Sequence, residues 1–162
     1  MLTIISGAQT GVDRAALDAA LKYGVPCGGW CPKGRIAEDG VIPERYPVQE
    51  LEAGGYDERT RKNVQISDGT VLIFFNRLSG GTEKTLQYCL QENKPYLLLD
   101  GQVVTAVSAA ERVLEFQVSL PAEILNFAGP RASEEPRGYG YTSSVMDLFI
   151  ESYTSRDSRQ RR

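Results

Sequence analysis

Three junctions in the chain combine an apolar, β-prone run with a turn whose residues suit an anion. The first is the run at residues 1–6 (MLTIIS), which leads through a short turn into an amphipathic helix predicted over residues 12–21. The first N–H groups of such a helix have no partner within the helix, and the helix dipole adds partial positive charge. Gly7, Ala8 and Gly11 carry no bulky side chain, so an anion can approach the backbone. The turn therefore predicts a phosphate or oxyanion site.

The same turn also fits a simple helix cap. Thr10 and Asp13 have the spacing of a capping box, in which the two side chains satisfy the free N–H groups themselves. The turn has neither the Gly-Lys-Ser/Thr of a Walker loop nor a complete GxGxxG pattern. The residues alone leave both interpretations open.

A second junction follows the most apolar strand of the chain, predicted at residues 70–75 (TVLIFF). A continuous apolar run of β-branched and aromatic residues is typical of a central parallel strand that is covered on both faces. It is followed by Asn76 and then by glycines and threonines at the start of a helix predicted over residues 83–91. The candidate anion-binding residues here are Gly80, Gly81, Thr82 and Thr85.

The third junction joins a strand at residues 124–128 (ILNFA) to Gly129 and Arg131. The planar guanidinium of an arginine is suited to phosphate or carboxylate groups. Because the carboxyl ends of parallel strands meet at one sheet edge, we expect Thr10, Thr82 and Arg131 to lie around a common pocket.

Further positive charge follows a short strand predicted at residues 25–28. Lys33 and Arg35 lie in the next loop and could face the same pocket or the solvent. Trp30 could offer an aromatic face to a ring or fill the core.

The alternation of strands and helices predicts a single α/β domain, with a mostly parallel central sheet and helices on both faces. A peripheral strand at 46–51, a buried strand at 96–99, and helices at 57–66, 103–118 and 141–153 complete it. Arg59, Thr60 and Asn63 share one face of the 57–66 helix, most simply a solvated face. We expect the domain to span residues 1–154 and residues 155–162 to form a basic, disordered tail.

Composition excludes several classes of function. The 162 residues include no histidine, which removes His-based catalysis and His-ligated metals. The three cysteines form no CxxC pair, so neither a disulfide framework nor a structural metal is expected. The net charge is −3, and an acidic body is poorly suited to nucleic acid. No apolar run is long enough to span a membrane and no secretory signal is present, so a cytoplasmic protein is expected.

Four segments resemble the molybdenum cofactor carrier proteins, which belong to a Rossmann-like superfamily that includes the phosphoribohydrolases called lysine decarboxylase-like. The segments are 6–17 (SGAQTGVDRAAL), 26–40 (PCGGWCPKGRIAEDG), the strand and GGT turn at 71–85, and 125–133 (LNFAGPRAS). In the wider superfamily a strand ending in Gly-x-Arg comes first. Here Gly129-Pro130-Arg131 comes last, so the chain resembles a circularly permuted, Rossmann-like member.

The resemblance implies that the protein carries molybdenum cofactor or a related phosphorylated, anionic ligand. It also implies a homo-oligomer, with molybdoenzymes or cofactor-synthesis proteins as further partners. The implied binding residues are Gly7, Ala8, Thr10, Gly11, Asp13, Arg14, Lys33, Arg35, Asn76, Gly80, Gly81, Thr82, Thr85, Gly129 and Arg131. Among them, Asp13 and Arg14 would order the first turn.

One departure from the superfamily bears on catalysis. Active phosphoribohydrolases carry a PGGxGTxxE pattern whose glutamate helps to cleave an N-glycosidic bond, and Thr85 stands at that position here. A hydroxyl cannot replace a carboxylate as acid or base near neutral pH. We therefore expect a binding protein without catalytic residues. A phosphoribohydrolase that uses Glu83, Glu38, Asp39 or bound water, and a nucleotide sensor, remain the alternatives.

Overall fold

A computed structural model describes residues 1–160, and its centre is a five-stranded parallel sheet. The strands are β1 (Thr3–Ile5), β2 (Cys27–Gly28), β7 (Gly69–Phe74), β8 (Tyr96–Asp100) and β9 (Ile124–Ala128), in the order β2-β1-β9-β7-β8. Every neighbouring pair is parallel. The expected α/β architecture with a parallel sheet is confirmed.

Five helices cover the two faces of this sheet. They are α1 (Val12–Tyr23), α2 (Tyr56–Ile66), α3 (Gly80–Gln91), α4 (Ala106–Ser119) and α5 (Gly138–Gln160). Alternate residues of β7 point to opposite faces. Ile73 packs in the large core with residues of α1, α4 and α5, whereas Leu72 packs with Val64 of α2 and Cys89 of α3.

Short strands form two small sheets beside the β2 edge. β3 (Trp30–Cys31) pairs with β6 (Gln49–Glu50) in parallel, and β4 (Ile36–Ala37) forms a hairpin with β5 (Gly40–Val41). The peripheral strand expected at 46–51 is thus β6, outside the main sheet. These elements pack against Leu17 through a second core cluster that includes the buried ring of Tyr46.

The strand order also explains the position of the site. Counted from β9 as the first strand, the sheet has the order 3-2-1-4-5, the beginning of a Rossmann sheet. The helix after β9 (α5) and the helix after β7 (α3) lie on opposite faces. The strand order reverses between β9 and β7, and ligands of doubly wound sheets bind at the carboxyl ends of such a pair.

Three elements differ from the sequence-based expectation. The strand expected to be buried at 96–99, β8, is a sheet edge, and Tyr96 is 40% exposed. Helix α3 begins at Gly80 rather than at residue 83, so both glycines belong to its first turn. Helix α5 continues to Gln160, beyond residue 153 where the last helix was expected to end and into the segment 155–162 expected as a tail, and the Ser158 hydroxyl donates to the Thr154 carbonyl one turn earlier. Residues 161–162 of that expected tail lie outside the described residues.

Candidate functional site

A small polar cavity opens at the carboxyl ends of β1, β9 and β7, and we call it the first cavity. Its volume is about 60 Å³, which suits a few waters or one tetrahedral anion. Its lining residues are Gln9, Asp13, Tyr56, Asp57, Arg59, Thr60, Gly81, Thr82, Lys84, Thr85, Ala128, Gly129, Arg131 and Glu134. The turns after β1 and β9, the start of α3 and helix α2 therefore contribute to it.

The N-terminus of α3 forms one wall of the first cavity. Its N-cap residue, Ser79, makes no side-chain cap. The hydrogen bonds of the helix begin at Glu83, whose backbone amide donates to the Ser79 carbonyl oxygen at 3.2 Å. The amides of Gly80, Gly81 and Thr82 precede it, and their glycines leave the approach open. Free N–H groups at the positive end of a twelve-residue helix favour an anion.

A buried ion pair forms the floor of the first cavity. Arg59 Nη1 donates to Asp13 Oδ2 at 3.2 Å, and the two side chains are 13% and 4% exposed. Burial raises the pKa of Asp13. Arg59 and the backbone amides of Gln9 and Gly7 lower this pKa, but they do so by less, and the pKa is raised overall. The Arg59 Nε atom is buried without a hydrogen-bond partner. A buried guanidinium nitrogen without an acceptor is costly, so a ligand oxygen would stabilise it.

Gln9 contributes a second unsatisfied donor. Its carbonyl Oε1 accepts from the amides of Thr10 at 3.0 Å and Glu38 at 2.9 Å, which fixes the amide plane. Its Nε2 is buried and has no partner, although the residue lines the first cavity and is 4% exposed. The orientation of this amide thus presents a donor for which the protein supplies no acceptor.

Arg131 also lines the first cavity and shares an aromatic neighbour with Arg59. The Tyr56 ring centroid is 5.3 Å from the Arg131 guanidinium carbon and 5.8 Å from that of Arg59. Arg131 Nε is 3.5 Å from Glu134 Oε1, which is longer than an ordinary charge-assisted hydrogen bond. The donors of Arg131 therefore remain available to a ligand.

A second cavity lies beside the first and has a volume of about 170 Å³. Its lining residues are Phe74, Phe75, Arg77, Ser79, Gly80, Thr82, Pro130, Glu134 and Glu135. Thr82 and Glu134 line both cavities, which therefore adjoin each other.

The turn after β1 is braced by the β4–β5 hairpin rather than by a capping box. The Thr10 hydroxyl donates to Glu38 and accepts from the Ala132 amide at 3.1 Å, and α1 has no side-chain cap. Ser133 also donates to Glu38 through its amide at 3.2 Å and through its hydroxyl. The Ser133 and Thr10 hydroxyls lower the pKa of Glu38. Glu38 therefore fixes the β1 turn to the β9 turn.

Comparison with known proteins now identifies the family. The model of the circularly permuted YpsA SLOG family matches residues 4–150. The chain belongs to this family. A crystal structure named "putative molybdenum carrier protein", from Syntrophus aciditrophicus SB, is 44% identical and has a TM-score of 0.90. The alignment covers 93% of this chain and 95% of that chain. No curated protein matches this one.

In this YpsA SLOG member, the β9 turn is in contact with the β1 turn, because β1 and β9 are neighbours in the sheet. A Cβ on Gly11, whose φ is +83°, would lie 2.5 Å from the Pro130 carbonyl oxygen, and a Cβ on Gly129 would lie 2.5 Å from Val12 Cγ2. These two glycines thus permit close packing between turns. Ala8 is buried, with φ of +58°, and its carbonyl accepts from Arg14 Nε at 3.1 Å.

The structure brings several of the sequence-predicted site residues together and places others elsewhere. Asp13, Gly81, Thr82, Thr85, Gly129 and Arg131 line the first cavity, and Gly80 lines the second. Gly7, Ala8, Thr10 and Gly11 lie in the supporting turn. Arg14 lines neither cavity, because its guanidinium pairs with Asp39, to which Nη2 donates at 2.7 Å.

Arg35, Lys33 and Asn76 lie outside both cavities. Arg35 donates to the carbonyls of Ile42, Pro43, Tyr46 and Val48, at 2.9 to 3.2 Å, so its role is to hold the 35–48 loop. Lys33 is exposed and lines a separate cavity next to Tyr56. The backbone N–H of Asn76 donates to Asp100 Oδ1 at 2.8 Å.

Sequence reasoning left Gln9, Arg59, Tyr56, Lys84 and Glu134 out of the site. Arg59 and Thr60 were recognisable as neighbours on one helix face, but the sequence did not show that this face points at the β1 turn. Glu134 and Lys84 carried no pattern at all. Gln9 belongs to the first predicted turn, but nothing in the sequence distinguished its side chain from those of its neighbours. Only the hydrogen bonds that orient its amide group show that it belongs to the site.

Metal chemistry has no evident ligand set in the part of the chain that the structure describes. Residues 1–160 include no cluster of three or more His, Cys, Asp or Glu side chains that could hold a metal ion. Burial raises the pKa of the free thiols Cys27, Cys31 and Cys89, which disfavours thiolates. Within the same residues, no helix has the length and apolar character required to cross a membrane.

Proposed function

We propose that the protein binds a phosphorylated small molecule whose anionic group occupies the first cavity. The observation that carries the proposal is the set of free donors around that cavity. Arg59 and Gln9 line the same cavity as the uncapped start of α3, and each carries a buried donor without a partner, Nε of Arg59 and Nε2 of Gln9. An oxyanion would accept from all three, and buried donors otherwise remain a cost to the fold.

Molybdenum cofactor is the ligand that we propose for this site. The support is the 44% identity to a protein named as a molybdenum carrier. The donors of the first cavity fit the terminal phosphate of that cofactor, and the second cavity offers adjoining space for its ring system. Cargo of this kind brings its own sulfur ligands, so the protein need not supply any to the metal. We further propose that the protein acts as a homo-oligomer in the cytoplasm and exchanges its cargo with molybdoenzymes or cofactor-synthesis proteins.

Calorimetry on the purified protein tests the binding proposal. Titrations use inorganic phosphate, molybdate, tungstate and molybdenum cofactor released anaerobically from a molybdoenzyme. Arg131→Ala should weaken phosphate binding by about tenfold, because a charge-assisted contact is lost. Lys33→Ala removes the same charge outside the first cavity and should change it by less than about twofold. Absence of heat with all four ligands would overturn the binding proposal, and phosphate binding without cofactor binding would overturn the carrier assignment.

A phosphoribohydrolase is the second candidate function, and Glu134 is the observation in its favour. It is a carboxylate at the junction of the two cavities. The superfamily position of the catalytic glutamate is held by Thr85, whose hydroxyl donates to the Gly81 carbonyl at 2.8 Å. Glu38 and Asp39 are held by hydrogen bonds outside the first cavity, and Glu83 is exposed. Release of free base from a panel of nucleoside monophosphates would establish the enzyme, and binding without release would favour a carrier or sensor.

A further inference from the structure

Glu134 is an unexpected residue in a cavity that binds an anion. Its carboxylate lines the first cavity beside Arg131 and would repel a phosphate placed there. The neighbouring carboxylates are compensated by short contacts, since Asp13 pairs with Arg59 at 3.2 Å and Asp57 with Lys84 at 2.5 Å. Glu134 is half-exposed, and its contact with Arg131 is 3.5 Å long. Its oxygens are therefore poorly engaged by the protein.

The second cavity is where this carboxylate can act. Phe74, Phe75 and Pro130 contribute to its walls, and its volume of about 170 Å³ exceeds that of the first cavity. The rest of its lining is mostly polar, so a planar ring bound there would pack on the apolar residues and meet polar groups at its edge. The other carboxylate there, Glu135, accepts from Arg137 Nε at 2.7 Å and Nη2 at 2.9 Å, so its charge is already neutralised. Glu134 is therefore the carboxylate lining the second cavity that has no charged contact shorter than 3.5 Å.

We propose that Glu134 recognises a heterocycle with two adjacent N–H donors, the 2-amino-4-oxopyrimidine edge that guanine and pterins share. This inference rests on the proposed function, because the phosphate in the first cavity places the ring in the second. A carboxylate accepts two parallel N–H groups from such an edge, as it does from an arginine fork. The ligand donors would also replace the weak Arg131 contact and free that guanidinium for the phosphate.

The same geometry selects against adenine. The corresponding edge of adenine presents one donor and one ring-nitrogen acceptor, and the acceptor lone pair would face a carboxylate oxygen. Sites that hydrogen-bond a ligand group discriminate strongly against analogues that leave the polar partner unpaired. The site therefore separates guanine-type and pterin-type ligands from adenine-type ligands that carry an identical phosphate.

Calorimetric titration of the full chain with GMP, AMP and inorganic phosphate tests the inference. We expect GMP to bind at least about tenfold more tightly than AMP, and phosphate to compete with both. Glu134→Gln should reduce the preference for GMP to about twofold or less, because an amide offers one acceptor and one donor. Phosphate affinity should stay the same or rise in this variant. The control Glu111→Gln removes an exposed carboxylate on α4 and should leave all three affinities unchanged.

The outcomes separate this inference from the proposed function. Equal binding of GMP and AMP, tighter binding of AMP, or phosphate binding without either nucleotide would overturn the role of Glu134 and leave the phosphate site standing. A preference for GMP that survives Glu134→Gln would also overturn it. If phosphate, GMP and AMP all fail to bind, the phosphate site in the first cavity fails, and this inference, which rests on that site, fails with it.

Discussion

The guanidinium of Arg59 lies directly against the backbone of Gly7. A Cβ at position 7 would be 1.9 Å from Arg59 Nη1, and that same nitrogen lies 3.2 Å from the Asp13 carboxylate. The glycine at the end of β1 therefore makes room for an arginine from α2, about fifty positions later in the chain. This contact brings a cation under the first cavity and compensates a buried carboxylate.

Gly7→Ala should consequently displace Arg59 without unfolding the protein. The obstructed atoms belong to the end of a flexible side chain, which can move. Asp13 then loses a charged hydrogen bond while it remains buried, so we expect a loss of about 1–3 kcal/mol in the free energy of unfolding. Phosphate affinity should fall by about tenfold. Urea denaturation and calorimetry measure the two effects, and unchanged phosphate affinity would contradict a role for Arg59 in binding.

Gly11 and Gly24 form a matched pair for the packing between turns. Both have a positive φ, +83° and +66°, although only Gly24 is in the left-handed helical region. A Cβ on Gly11 would meet the Pro130 carbonyl oxygen at 2.5 Å, whereas one on Gly24 would meet no atom within 4 Å. Gly24→Ala should cost about 1 kcal/mol and leave phosphate affinity unchanged. Gly11→Ala should cost about 2–4 kcal/mol and also weaken phosphate binding, since it moves the turn that carries Arg131. Equal stability losses in the two variants would refute the close packing.

Arg35 should be important for stability rather than for binding. Its guanidinium donates to four backbone carbonyls of the 42–48 segment, and its loss leaves those acceptors without a partner. Arg35→Ala should lower the free energy of unfolding by about 2–4 kcal/mol, whereas the phosphate affinity of the folded protein should remain within about twofold. A large loss of affinity with normal stability would instead return Arg35 to the binding site.

Glu38 makes the bracing of the site dependent on pH. The hydroxyls of Ser133 and Thr10 lower its folded-state pKa below the ordinary value of 4.5. A lowered carboxyl pKa contributes stability above the unfolded-state pKa, and this contribution disappears as the pH falls through the folded-state pKa. Wild type should exceed Glu38→Gln in stability by about 1 kcal/mol or less at about pH 7, because the carboxylate is exposed, and the difference should disappear once the pH is below the folded-state pKa.

Denaturation curves at several pH values test this dependence on Glu38. The matched control is Glu44→Gln, which removes another exposed carboxylate from the segment after the β4–β5 hairpin. It should show a smaller difference from wild type at neutral pH. A stability difference for Glu38→Gln that grows as the pH falls would have the wrong sign and would contradict the bracing role.

Local sequence patterns were sufficient to predict most of the secondary structure. The predicted strand at 124–128 coincides with β9, and the predicted helix at 12–21 lies within α1, which ends at Gly24 in the left-handed conformation expected of a C-cap. Apolar runs and helical spacing report burial of the element that contains them. They do not report neighbours, so β8 was expected to be buried although it forms an edge.

In the candidate site, too, some residues were predictable from the sequence and others were not. Gly81, Thr82, Gly129 and Arg131 were identifiable because each follows a strand at the carboxyl edge of the sheet, a position that chain order alone fixes. Arg35 has the same type of side chain and a similar position in a loop, yet its own loop supplies the acceptors for it. The difference depends on where carbonyl oxygens lie in space, and residue types do not encode that locally.

The sequence by itself thus determined the α/β class, the parallel order of elements and the turns at the carboxyl edge of the sheet, because these depend on periodicity and on residues close in the chain. Only the tertiary structure decided which charges face the cavity and which donors remain free. Arg59 reaches Asp13 across forty-six positions, and the orientation of Gln9 depends on an amide at position 38. Such contacts form when α2 and the hairpin pack against the β1 turn, and long-range packing sets the chemistry of the site.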